Sequence, residues 1–284
     1  MLTVFKHSLS RSRGGILGWG LSLGFFAYLM VLFFDTIAAD IETFSTLLDA
    51  YPPELMAFFG EAAEFTTPEG FLSLEFFSFM PLVLGVYAVI GGAGLLASDE
   101  ESGTLDLLLA QPVSRTSLFW GRLLSWVAVM VLILVIVWSA VMISANFYVA
   151  EYEGIRLAGG LASLGALMSF FFGLALLLSM VLPSRRLAAM GAGIFLVASF
   201  FVSGLSAIND TLSSISEYLP MYYYQGDSWP QGFEVGDFSV LLGISLIFSL
   251  LAWWRFGARD IRVGGEGGFK IKLPKFLSFG RSEA

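Results

Sequence analysis

The chain has 284 residues, of which 57% are hydrophobic and 13% charged, with a formal net charge of −8. A soluble domain carries about 25% charged residues, so the solvent this sequence is written for is lipid. It has no cysteine and one histidine, His7, which excludes disulfides, thiolate metal sites and cysteine nucleophiles, and leaves little material for zinc sites or histidine-based triads.

Residues 1–13 place Leu2, Phe5 and Leu9 at helical spacing with Lys6, Ser10 and Arg13 between them. That pattern predicts an amphipathic helix lying in the membrane interface. A span needs about 20 apolar residues, and six stretches supply them, at about 14–35, 74–98, 117–146, 157–183, 187–209 and 236–255. The first follows a basic start, as a signal peptide does, but its apolar core is longer than the usual 7–15 residues. We therefore read it as a retained span. The last ends on Trp253 and Trp254, which suit an interfacial anchor. The expected architecture is an all-α integral membrane protein with a six-helix domain over 14–257. A basic tail follows over 258–284, alternating basic and apolar residues after a glycine-rich stretch.

Six crossings put both termini on one side. Every Lys and Arg except Arg156 falls on that side, and the loop over 39–70 is acidic with no base. The positive-inside rule then predicts cytoplasmic termini. The outer loop over 210–236 gathers Tyr218, Tyr222, Tyr223, Tyr224 and Trp229, an aromatic density expected of an interfacial or re-entrant segment. Asn209-Asp210-Thr211 also fits a glycosylation acceptor.

The loop between the second and third spans is the most informative. It reads from Ser98 through Glu101, Ser102, Gly103, Thr104, Leu105, Leu107, Leu108 and Leu109 to Pro112, Ser114 and Arg115. A short helix is predicted here, with Ser102 or Thr104 at its cap. Glu101 and Asp106 suit the positive end of its dipole. Leu105, Leu108 and Leu109 make one apolar face, Pro112 ends the helix, and Ser114 caps the third span. An apolar helix facing the cytosol calls for a groove on a partner, or for its own membrane domain.

Glu101-Ser102-Gly103-Thr104-Leu105, followed by Leu108-Leu109 and Pro112-Val113-Ser114-Arg115, resembles the signature of the ATP-binding-cassette (ABC) type-2 permeases. The resemblance implies that Glu101, Gly103, Thr104 and Arg115 sit at the contact with a separate cytosolic ATPase. It implies a second, shorter contact at 183–187 with Arg185 and Arg186. The family pairs two ATPases, which hold the ATP and Mg, with two permease subunits. This chain would then be half of a pore, working in the export direction, binding no cofactor itself and recognising no nucleic acid.

No Gly-x-x-x-x-Gly-Lys-Ser/Thr occurs, so the chain carries no P-loop. Gly20-x-Ser22-x-Gly24 matches a hydrolase elbow in form only, because it lies inside an apolar span and lacks a histidine partner. With Gly14 and Gly18 it gives small-residue spacing that permits close helix packing, as do Gly91, Gly92, Gly94, Gly191 and Gly193. Three further readings remain. An ion-coupled secondary transporter would use intramembrane charge, for which only Asp35 and Glu75, near the outer interface, are candidates. An intramembrane enzyme lacks its acid–base or metal set. A non-transporting scaffold is the third.

Overall fold

A computed structural model of the chain describes residues 1–38, 67–147 and 152–258. The acidic loop up to residue 66 and the basic tail beyond Ala258 lie outside the described residues. The described residues are helical and form no strand. In chain order they give α1 (Leu2–Arg11), α2 (Arg13–Ala38), α3 (Pro68–Leu72) and a π-turn (Ser73–Phe77). Next come α4 (Met80–Gly94), α5 (Ala97–Glu101), α6 (Thr104–Leu109), α7 (Arg115–Ala145) and α8 (Gly154–Val181). The chain closes with α9 (Arg185–Gly204), α10 (Asp210–Ser216) and α11 (Val235–Ala258). Six continuous stretches are long and apolar enough to cross a membrane: Arg13–Thr36, Pro68–Gly94, Arg115–Ala145, Gly154–Val181, Arg185–Gly204 and Val235–Ala258. This is an all-α, multi-pass membrane protein.

α8 is the centre. It packs against α4, α7, α9 and α11, and a helix surrounded in this way has to be apolar all round. Its Phe170-Phe171-Phe172 run reaches three ways. Phe170 meets Phe248 of α11, Phe171 meets Phe195 of α9, and Phe172 stacks on Trp126 of α7 at 3.8 Å between centroids. Several polar side chains inside the bundle bond to nearby backbone, as lipid demands, although Ser199 Oγ and the Trp126 indole N–H find no partner among the described residues. Ser179 donates to the Leu176 carbonyl, and Ser245 of α11 donates across to the Ser169 carbonyl of α8.

Small residues set the closest approach. A Cβ on Gly92 would lie 2.2 Å from the Phe172 carbonyl oxygen, so only glycine lets α4 reach the α8 backbone there. Gly20 and Gly24 face Ile136 and Ala140 of α7, the partner of α2. Gly14, Gly18 and Gly193 have open space beside them instead, so the packing expected of them is not seen within this chain.

The second span starts earlier than the expected 74–98, at Pro68. Thr67 caps α3 through the Gly70 amide, Pro68 opens the helix, and the π-turn carries it into α4. Glu75 therefore lies within the membrane-length helix Pro68–Gly94. The fifth is shorter at its C-terminal end, because Leu205 and a 3₁₀ turn over Ser206–Ile208 follow Gly204. α1 rests on α7, with Val4 against Gly121. Its packed residues are Val4 and Leu9, while Leu2 is exposed.

The bundle has two unlike ends. At one, Arg122 of α7 donates to the Leu95 carbonyl at 2.8 Å, Arg115 to the Phe256 carbonyl at 3.3 Å, and Arg185 to Ser98 Oγ at 2.7 Å. These contacts gather Arg115, Arg122 and Arg185 at one end with α1, α5 and α6, while Arg156 lies at the opposite end and donates to the Pro230 carbonyl. At the other end, residues 205–234 fold over the bundle. Trp229 is buried against Phe77 and Gly160, and Tyr224 donates its hydroxyl to the Phe77 carbonyl at 2.9 Å. Gln225 is buried and pairs both ways with the Glu234 backbone, while its amide donates to Ser163 Oγ. Tyr218 and Tyr222 remain exposed. Asn209 accepts from the Thr211 and Leu212 amides and so serves as the N-cap of α10.

Candidate functional site at the arginine-bearing end

After α4 the chain turns at Leu95 and Leu96, makes one turn of helix (α5), reverses at Gly103 and makes another (α6). Gly103 has φ +71°, the left-handed region open to glycine at no steric cost. That is the physical need for glycine in the Glu-Ser-Gly-Thr-Leu run. Gly103 also occupies the N-cap position of α6, and no side chain caps that helix. The cap expected from Ser102 or Thr104 is therefore absent. Both hydroxyls turn back to α5. Thr104 donates to the Asp99 carbonyl at 3.3 Å or its carboxylate at 3.2 Å, and Ser102 lies 2.9 Å from Thr104. They tie the two short helices into one unit.

That unit is held from two sides. Asp99 forms an ion pair with Arg122 of α7. Glu101, expected at the positive end of α6, closes α5 and reaches another helix. Its carboxylate accepts from the Arg185 backbone amide at 3.0 Å and lies 3.7 Å from the Arg185 guanidinium. Arg185 is the first residue of α9, so Glu101 satisfies one of the amides left open at that helix's N-terminus and sits at its positive pole. Ser184 caps the same helix, accepting from Leu187 at 3.3 Å. The two loops singled out by sequence, around 101–115 and 183–187, are thus adjacent.

The four leucines divide. Leu105 is buried at 1% exposure and anchors α6 to the bundle. Leu109 is packed partly against the core. Leu107, at 69%, and Leu108, at 36%, face outward. The expected single face of Leu105, Leu108 and Leu109 is therefore split, and the outward pair is Leu107 with Leu108. Leu105, alone of the four, is fully buried, and the bundle surface beneath this six-residue helix covers only that side of it. Pro112 is exposed in the bend beyond α6, and Ser114 caps α7 by accepting from the Ser117 amide at 3.1 Å. Arg186 is exposed near the start of α9.

Arg115 faces inward: besides its bond to the Phe256 carbonyl, its guanidinium lies 6.0 Å from the Phe256 ring centroid. It joins α7 to the C-terminal end of α11, whose last carbonyls suit a cation. Asp99, Ser98 and Arg122 were not singled out by sequence. Arg122 carried a signal, since a cation about two turns inside a long apolar helix requires a partner.

The arrangement contains no reactive constellation. It offers an exposed apolar pair, Leu107 and Leu108, on a small body whose motion would pass to α7 through Asp99–Arg122 and to α9 through Glu101–Arg185. The family model described as ABC-2 family transporter protein matches residues 2–261. No curated protein matches the sequence.

Proposed function

From the premise that this chain belongs to the ABC-2 transporter family, we propose that it is the permease subunit of an ABC exporter, driven by ATP hydrolysis on a separate ATPase chain. The observation that carries the coupling part is the α5–α6 unit, apolar outward and ion-paired to two different spans. Leu107 and Leu108 enter a groove on the ATPase, and Arg186 lies beside them. Closure of two ATPases on ATP tilts the unit. Glu101 pulls on the first turn of α9, and Asp99 pulls on α7 at Arg122. Two permease copies make the pathway, and ATP and Mg stay with the partner chains. Both termini and the α5–α6 unit face the cytoplasm. What supports that orientation is the clustering of arginines at this end.

The test is affinity purification of the tagged chain in mild detergent from its host. A P-loop ATPase recovered at about one per permease is the expected result, and single Leu107→Asp or Leu108→Asp replacement should remove it. Replacing Leu105 would be a poor probe, because its side chain is buried. Recovery of the chain alone, with other membrane complexes intact, would favour a secondary transporter or a scaffold.

A further inference from the structure

Glu75 is unusual among the charges of this bundle. It sits in the π-turn of the second span and is only partly exposed, while Ser73, Leu74, Phe76 and Phe77 around it are buried. Among the described residues it has no hydrogen bond or ion pair. A carboxylate in a span is costly unless something compensates it, and such groups are usually functional. π-Turns inside helices mark functional positions for a related reason, since the inserted residue re-aims side chains at the expense of regular bonding.

A row of exposed apolar side chains follows Glu75 along the same span. Phe79, Val83, Val86 and Ile90 recur at steps of four, four, three and four from Glu75, and all are exposed. They make one apolar stripe along α4. Val86 and Ile90 then line a groove of about 320 Å³ with Met190, Gly193, Ile194 and Val197 of α9. At about 1.5 Å per residue, Glu75 lies about 30 Å above Leu95, the full thickness of a hydrocarbon core. The stripe from Glu75 to Ile90 covers about 22 Å, more than the roughly 15 Å of a single leaflet. A lipid resident in one leaflet would not fill it.

We propose that Glu75 and this stripe bind a transported amphiphile with a cationic headgroup, the carboxylate holding an ammonium or guanidinium and the α4–α9 groove holding the apolar tail. The proposal rests on the transporter reading above and adds its cargo class. Charge complementarity chooses the headgroup: an unpaired carboxylate at the outer boundary gains from a cation and is repelled by a phosphate or carboxylate.

The experiment uses the purified permease in maltoside micelles, without ATP, and a photoactivatable long-chain alkylammonium probe. Its neutral alcohol analogue with the same tail serves as control. The expected result is labelling of peptides containing Phe79–Val86 and Met190–Val197. Glu75→Gln should weaken the cationic probe about tenfold and leave the alcohol unchanged, since removing one member of a desolvated charge pair acts on that pair alone. Glu75→Asp should recover most of the loss, and an unchanged melting midpoint shows that the variants fold. Equal effects on both probes, or labelling elsewhere, would overturn the proposal. So would displacement of the probe by an amine-headed bilayer lipid at stoichiometric amounts, which would make this a lipid site. Co-purification of the ATPase is scored separately, so loss of this site and loss of the transporter reading give different results.

Discussion

The two ends of the bundle are held by opposite means. The cap over 205–234 is fastened mainly by buried neutral groups: Trp229 in a slot formed by Gly160, Tyr224 on the Phe77 carbonyl, and Gln225 on Glu234 and Ser163, with Arg156 adding a bond to the Pro230 carbonyl. The arginine-bearing end is fastened by charges, one pair (Asp99–Arg122) largely shielded and the other open to water. The Glu101–Arg185 side chains are 45% and 48% exposed, and Leu107 and Leu108 are left uncovered. Buried aromatic packing resists displacement because every shift opens a void. Exposed ion pairs contribute little to stability and re-form easily in a new geometry. One end resists displacement, and the other has contacts that re-form more easily, as the proposed coupling requires.

The strongest way to break this contrast is through the helix contact that both ends share. Gly92→Val should cost about 3 kcal/mol or more, because the Phe172 backbone cannot yield as a side chain would. The expected outcome is loss of monodisperse protein in size-exclusion chromatography. Trp229→Ala should act on the outer cap alone. It should lower stability by about 3–5 kcal/mol, seen as a lower thermal midpoint, with ATPase association unchanged. Should association fall with stability, the ends are not independent.

The reverse pattern is expected at the other end. Leu107→Asp should weaken ATPase binding at least about tenfold, since a charge would be buried in an apolar contact, while the thermal midpoint stays within experimental error. Glu101→Ala and Arg185→Ala should each cost below about 1 kcal/mol of stability. They should nevertheless reduce substrate moved per ATP hydrolysed, and the double variant should be no worse than either single one. A double-mutant cycle on that ratio, measured in proteoliposomes, checks it.

The smallest effect sharpens the outer side. Burial, and then Asp227 nearby, raise the Tyr224 hydroxyl well above its ordinary 10.0. A group with a raised folded-state value stabilises the fold fully below its unfolded value and loses that contribution as pH climbs past it. The wild type should therefore lose stability above about pH 10, and Tyr224→Phe should flatten this dependence at a cost of about 1 kcal/mol near neutral pH. Tyr152 is also raised by burial and by Glu69, so thermal melts of Tyr224→Phe will retain part of the slope.

Much of this protein could be read before any tertiary contact was known. The six spans follow from stretches of apolar residues long enough to cross, which lipid requires whatever the packing. Glycine at position 103 was legible as part of a motif, and Ser114 as a cap, because both act through their own neighbours in sequence. The division of the leucines was not. Leu105, Leu107, Leu108 and Leu109 are chemically the same, and which of them is buried depends on where Leu96 and α7 place the surface beneath α6.

Partners far apart in the chain were equally invisible. Glu101 at a helix end reads as a dipole companion for the helix that follows. Only the fold brings α9 alongside, 84 residues on, and gives the carboxylate that helix's open amide instead. Glu75 shows the same limit from the other direction. A charge at the edge of an apolar stretch reads as the end of a span, until a capped turn at Thr67 and a π-turn extend the helix past it. Hydropathy is a property of single residues and survives any rearrangement. Burial, pairing and exposure belong to surfaces made by several helices, and only the tertiary structure decided those.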